Sequence, residues 1–380
     1  MKKKYVVLSI ITLVLLIAFV TSFNYFKNSN TYVENNSNNQ TKITKGISMN
    51  LEQTAGAGDY KQVTQSSWPT EGYKFNAELS KCENGGEISW DDTKKAVIVS
   101  GNLSDKCYVY FDIYQLTLAE YIKSQYTGTQ GDNALYYHNS TLTNGAGDNS
   151  YRYAGASDSV NNYICLGSDV ATCPDANLFR IIGVFGDKTK VIRAKSVGYQ
   201  QWHTSADNTW SSSSLNAYLN GTYLTSLGTI AEKIATTTWK VGGGSGSNIS
   251  ASVPATAYKN EVGSSASTTI IDKKIGLMYV SDYGFAASPS AWTKILGDYD
   301  GTDANGTSIK TINWMYMGYN EWTISRRSDL TNHSFRVHSS GFVRYDHVTS
   351  SFEVRPSFNL ESSVNYVSGS GSMSDPVRVN

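Results

Sequence analysis

Apolar residues fall along this chain in short alternating runs, with one long exception near the start. Tyr5 to Phe23 is nineteen residues without a charge. At about 1.5 Å per helical residue, such a run matches the hydrocarbon core of a bilayer. From Asn24 to Ser67 large apolar residues are sparse among Asn, Gln, Thr and Ser, which predicts a disordered polar stalk. Strand-like runs follow. Lys95 to Ser100 is β-branched, and Cys107 to Ile113 alternates so that Cys107, Val109, Phe111 and Ile113 share one face. The expected division is therefore an anchor over 1–23, a stalk over 24–67, a small β module over 68–114 and a larger domain over 115–380.

The larger domain reads as α+β and β-rich. Leu116 to Gln125 has the spacing of an amphipathic helix, with Thr117 as its N-cap. Leu178–Phe185 and Thr189–Ser196 are expected to pair across Gly186-Asp187-Lys188. Leu215, Tyr218 and Leu219, then Tyr223, Leu227, Ile230 and Ile234, predict two short helices separated at Asn220-Gly221. Val241 to Ser250 is rich in Gly and Ser and predicts an exposed loop, and Ile275 to Val280 predicts a strand. Glu321–Ser325 is expected as a strand, and Ser334–His338 with Phe342–Asp346 as a hairpin across Ser339-Ser340-Gly341. That turn sets His338 against Phe342, Arg336 against Arg344 and His333 against His347. Phe352–Leu360 predicts a strand with Pro356 at an edge or bulge, and Val377–Val379 a short last one.

Three lysines precede the long apolar run and Lys27 follows it, which predicts an N-terminus inside and the remainder outside. The expectation is a single-pass cell-membrane protein with a C-terminal ectodomain. A cleaved signal peptide with Val20-Thr21-Ser22 as its processing site is the alternative. Without Lys2, Lys3, Lys4 and Lys27, 28 basic residues stand against 32 acidic ones, a net charge of −4. Such a body has no field to attract nucleic acid, and none is expected as a partner. Cys82, Cys107, Cys165 and Cys173 all follow the apolar run, and an even count in an oxidising compartment reads as disulfides. Of three connectivities, proximity favours Cys82–Cys107 with Cys165–Cys173. No cysteine or histidine spacing suggests zinc.

Between Trp322 and Pro356, five arginines accompany only Asp329, Asp346 and Glu353. Arg326, Arg327, Arg336 and Arg344, with His333, His338, Tyr345 and His347, are the candidate ligand-binding residues, because guanidinium forks suit carboxylates and other anions. Pairing with the nearby acids is the competing reading. His333 and His347 offer two imidazoles to a metal but no third ligand. Asp298, Asp300, Asp303 and Asn305 raise the question of calcium. An EF-hand loop counted from Asp298 needs Gly and Glu where Asp303 and Ile309 stand. No other cofactor is expected. The chain holds no GxSxG, no HExxH and no suitably placed Cys/His pair, so a non-catalytic role is expected, with an extracellular hydrolase as the minor alternative. Trp210 and Trp322 are assigned to the core and Trp202 and Trp292 to the surface, while Trp239 and Trp314 fit either. The 26 tyrosines suit a binding surface.

Trp210-Ser-Ser-Ser-Ser-Leu-Asn-Ala-Tyr-Leu-Asn-Gly, Ile275-Gly-Leu-Met, Trp322-Thr-Ile-Ser-Arg and Val354-Arg-Pro-Ser-Phe-Asn-Leu form four ordered blocks. Together, over about Tyr151 to Asn380, they resemble a widespread surface domain of unknown function from Gram-positive gut bacteria, which looks like a C-type-lectin-like fold. The resemblance brings no activity with it. The apolar run, the arginine- and aromatic-rich hairpin and this fold together lead to the expectation of a membrane-anchored extracellular protein that binds a glycan or a protein through the loops and hairpin between Tyr316 and His347, with Trp322 and Arg355 as framework. A structural cell-envelope protein is the alternative. The chain departs from sugar-binding C-type lectins in lacking Glu-Pro-Asn, Gln-Pro-Asp and Trp-Asn-Asp. It departs from formylglycine-generating enzymes in having no cysteine after Cys173.

Overall fold

The computed structural model describes residues 47–64, 68–69, 72–101, 105–263 and 269–380. The expected anchor over 1–23, and the expected stalk as far as residue 46, lie outside the described residues. Among the described residues no helix is long and apolar enough to cross a membrane. The chain divides into two compact units, Met1–Gln115 and Leu116–Asn380.

The first unit contains β1 (Ser48–Glu52), β2 (Tyr60–Val63), β3 (Tyr73–Cys82), β4 (Glu87–Asp91), β5 (Ala96–Ser100) and β6 (Cys107–Ile113). Four of them form a sheet in the order β2-β1-β6-β3, and β4 pairs with β5 as a separate hairpin. Two strands therefore occupy residues expected to be stalk. β1 lies between β2 and β6, so both edges of its backbone are paired, and its Asn50 and Glu52 side chains are bonded as well. The Glu52 carboxylate accepts from Gly58 N at 3.0 Å and Ile113 N at 2.9 Å. Polar composition does not prevent burial where each polar group finds such a partner. Met49, Leu51, Val97, Val109 and Phe111 make the core, and Trp90 meets Phe111 edge-on at 5.6 Å. Cys82 and Cys107 are register partners on β3 and β6 and are joined by a disulfide.

The second unit begins with α1 (Leu118–Ser124). Thr117 and Glu120 close a capping box at its start, each side chain bonding the other's backbone N–H. Strands β7 (Leu135–Tyr137), β8 (Tyr151–Tyr153), β9 (Tyr163–Cys165), β10 (Leu178–Phe185), β11 (Lys188–Arg193) and β12 (Tyr199–Gln201) follow. After α2 (Ser214–Tyr218) and α3 (Leu224–Ser226) come β13 (Thr237–Lys240), α4 (Pro254–Glu261), β14 (Ile270–Lys273), β15 (Ile275–Gly276) and α5 (Val280–Phe285). The chain ends with β16 (Glu321–Arg326), β17 (His333–Val337), β18 (Val343–His347), β19 (Ser351–Glu353), β20 (Ser357–Asn359), β21 (Tyr366–Ser368) and β22 (Val377–Val379). One nine-stranded sheet runs β15-β20-β11-β10-β9-β22-β21, with β8 on β10 and β7 on β8. A five-stranded sheet runs β12-β19-β16-β17-β18, and β13 pairs with β14. The unit is β-rich with short helices. A second disulfide, Cys165–Cys173, closes a surface loop whose carbonyls at Ser168, Val170 and Ala171 accept from Arg378.

Several expectations are corrected here. The Phe352–Leu360 segment is two strands in different sheets, because Pro356 lacks the donor that would continue a ladder. The chain does not stop at Asn220-Gly221 but passes through a π turn over Leu219–Tyr223. Asn220 instead binds both backbone groups of Ile275, at 2.8 and 3.0 Å. Only Ile275–Gly276 of the expected Ile275–Val280 strand is extended into a sheet, and Val280 starts α5. The Gly/Ser-rich loop is no exposed excursion. Val241, Gly242, Gly244 and Ile249 are buried, and Gly244 bridges to Arg327. Gly243 permits this approach: its φ is +77°, and a Cβ there would stand 2.3 Å from Arg326 O.

Trp202 and Trp292, expected on the surface, are both fully buried. Each indole N–H reaches a carbonyl, Thr323 O at 3.0 Å and Ala287 O at 2.8 Å. Meeting that donor removes the main cost of burying a tryptophan. Trp210, Trp239, Trp314 and Trp322 are also core.

Candidate functional site

The β17–β18 hairpin has the register its turn implies, pairing His333 with His347 and Arg336 with Arg344. His338 N donates to Phe342 O at 2.8 Å where the turn begins. A period of two then divides the candidate residues between opposite sides of the sheet. His333, Phe335, Tyr345 and His347 share one side, and Ser334, Arg336, Arg344 and Asp346 share the other.

On the first side, Tyr345 is 37% exposed and lies over the buried Arg327, whose guanidinium carbon is 3.9 Å from the ring centroid. Asp329 holds that guanidinium through two bonds, at 2.9 and 2.5 Å. The His333 ring meets Tyr345 edge-on at 5.6 Å. His333 and His347 are 5.5 Å apart, but Asn332 engages both, at 2.7 Å from His333 Nδ1 and 3.2 Å from His347 Nε2. Thr349 Oγ1 lies 2.7 Å from His347 Nδ1. Partial burial, then the neighbouring His347 and Arg327, lower the His333 pKa. The pair is a hydrogen-bonded structural element, and among the described residues no three His, Cys, Asp or Glu side chains gather as a metal set.

On the second side, Arg336 binds Asp346 Oδ2 through Nε at 3.2 Å and Nη2 at 3.1 Å, and Asn320 Oδ1 through Nη1 at 2.7 Å. Its guanidinium stacks 4.5 Å over Phe352. The like-charged pair Arg336/Arg344 is tolerated because an acid two positions along the same strand neutralises one member. Arg344 is exposed. Arg326 binds Val241 O at 2.9 Å and Asn208 Oδ1 at 3.0 Å, so it fastens the glycine loop. His338 stacks on Phe342 at 4.4 Å and accepts from Ser340 N, which makes it part of the turn. Three of the four arginines are thus engaged within the fold. Asp303, in the loop considered for calcium, accepts from Asn305 N and Thr307 N of its own turn.

A second cluster, not anticipated, lies where β8, β11, β13, α4 and the start of α5 meet. Lys190 Nζ donates to Asp282 Oδ2 at 2.6 Å, and Tyr279 N donates to the same oxygen at 2.8 Å. Arg152 binds Asp148 at 2.6 Å and Ser150 at 2.8 Å, and its Nη1 stands 3.7 Å from Asp282 Oδ1. Lys190, Asp282, Arg152 and the nearby Glu261 are all buried. Burial pulls the Lys190 ammonium down against the opposing pull of Asp282, and pushes the Glu261 carboxyl up. Glu261 caps α5 by accepting from Val280 N at 3.0 Å and Ser281 N at 2.9 Å. Aromatic rings enclose the cations: Tyr279 lies 4.7 Å and Trp239 5.4 Å from Lys190 Nζ, and Phe185 4.6 Å from the Arg152 guanidinium. Lys190 and Asp282 are 92 positions apart. The one local signal is a lysine next to the apolar pair Val191-Ile192 in β11.

No family model, no curated protein and no solved structure matches this chain.

Proposed function

We propose that this chain is a membrane-anchored, outward-facing protein whose C-terminal unit is a C-type-lectin-like binding domain for an extracellular glycan or protein. Two disulfides support a location in an oxidising compartment, and the charge-free run of Tyr5–Phe23 supports the anchor. The observation that carries the reading is Tyr345. Its large ring stays exposed while a fixed guanidinium backs it, so it offers a rigid amphipathic contact at little ordering cost. His347 beside it and Arg344 on the other side of the same strand supply polar contacts at the rim.

The test is an array of glycans and extracellular proteins probed with the full-length protein, with calcium and with chelator. Tyr345→Ala and Arg344→Ala variants are run in parallel after near-ultraviolet circular dichroism has verified their fold. Binding lost in Tyr345→Ala supports this face of the hairpin. Binding kept there but lost in Arg344→Ala moves the site to the opposite side. A protein that retains no ligand from either class is better read as a structural envelope component.

A further inference from the structure

The buried charge cluster forms one wall of a cavity of about 240 Å³, below the roughly 300–1,000 Å³ of pockets that hold drug-sized ligands. A metabolite-sized molecule fits it. Phe185, Trp239, Tyr258 and Val262 supply apolar surface, and Arg152, Lys190, Lys240 and Asp282 supply charge.

The charges do not cancel. Asp148 neutralises Arg152, and Asp282 neutralises Lys190. Lys240 is half-buried and forms no ion pair among the described residues, and its backbone N and O are both bonded to the Tyr279 hydroxyl. Glu261, the third buried carboxyl group of the cluster, is not in the lining and is bonded to the start of α5, so Lys240 is the lining cation without a paired carboxylate. Arg152 Nη1 is buried yet has no hydrogen-bond partner, since Asp282 at 3.7 Å is beyond bonding distance. A buried guanidinium N–H without an acceptor costs free energy that an incoming oxygen would recover. The aromatic rings around it lower the local dielectric and strengthen such a bond.

We propose that this cavity binds a small organic monocarboxylate, with the carboxylate accepting from Arg152 Nη1 beside Lys240 and the apolar body against Trp239 and Tyr258. A single uncompensated lysine balances a single negative charge. A dianion would leave a buried charge unpaired, and an ammonium compound would meet Lys240 and Lys190 as like charges.

The experiment uses the full-length protein and fluorine NMR of para-fluorobenzoate, competed with benzoate and separately with benzamide, the neutral isostere. The expected result is a saturable change in the fluorine signal that benzoate reverses and benzamide does not. Lys240→Met should weaken it about tenfold or more, equivalent to about 1.4 kcal/mol. This variant removes only a half-exposed side chain, so unchanged thermal unfolding verifies its fold. Tyr345→Ala should bind para-fluorobenzoate as the wild type does, which separates this site from the hairpin surface. Equal competition by benzamide, an unaffected Lys240→Met, or no signal change at about 10 mM ligand would each overturn the proposal and leave the gap at Arg152 Nη1 to bound water only.

Discussion

Arg355 and Glu321 form a two-point ion pair in the core of the second unit, with Nε to Oε1 at 2.7 Å and Nη2 to Oε2 at 2.9 Å. Nη2 also donates to Met315 O at 2.8 Å. Both side chains are almost wholly inaccessible. Arg355→Met strands the Glu321 carboxylate without a counter-charge, which is expected to cost about 3–5 kcal/mol. Urea unfolding followed by tryptophan fluorescence measures this. An Arg355→Met/Glu321→Met double variant should recover much of the loss, because no charge is then left unpaired.

Acid should destabilise the second unit through His138. Its Nδ1 accepts from Ala146 N at 3.0 Å, and its ring meets Phe285 edge-on at 4.9 Å. Burial, followed by the nearby Arg152, lowers its pKa well below 6.5. The folded state therefore binds fewer protons than the unfolded one below that value. Its contribution is fully present above about pH 6.5 and is lost as pH falls from there towards the folded pKa. His138→Asn keeps an acceptor for Ala146 N and removes the titration. His333 and His338 are shifted in the same direction, so the measured quantity is the difference between wild type and His138→Asn. Parallel loss of stability in both proteins between about pH 7 and pH 5 would rule His138 out.

The two disulfides should not contribute equally. Cys82–Cys107 spans 25 positions and Cys165–Cys173 spans 8, and the restriction of the unfolded chain grows with the loop closed. Replacing both Cys82 and Cys107 by serine is expected to destabilise the first unit by about 3 kcal/mol, and the matching change at Cys165 and Cys173 to cost less. Thermal unfolding of the two double variants compares them.

Gly243→Ala and Gly246→Ala should differ sharply. At Gly243 a methyl meets Arg326 O at 2.3 Å on a backbone with φ of +77°, whereas at Gly246 the nearest atom is the Arg327 guanidinium carbon at 3.4 Å. The first change is expected to cost on the order of 1–3 kcal/mol and to release the end of β16. The second should be close to neutral. Equal midpoints in denaturant would show that the loop yields and does not lock the strand.

By itself the sequence determined the features whose causes are local. The Thr117 cap, the β10–β11 hairpin, the short Cys165–Cys173 span and the pairing of His333 with His347 and Arg336 with Arg344 all follow from spacings of a few residues or from one turn. The connectivity of the four cysteines, in contrast, is favoured by proximity and fixed only by the structure. Tertiary structure alone decided what depends on partners far along the chain. Ser48–Glu52 reads as polar stalk until β6, about sixty residues later, pairs with it and bonds its side chains. Trp202 carries no mark of burial, because the carbonyl that admits it belongs to Thr323, 121 positions away. For the arginines the sequence leaves ligand binding and pairing with nearby acids both open, and only the structure sets Asp329 against Arg327 and Asp346 against Arg336. The meeting of Lys190 with Asp282 and Arg152 has no periodicity to betray it, since a buried charge needs only one well-placed counter-charge and the fold can bring that from any distance.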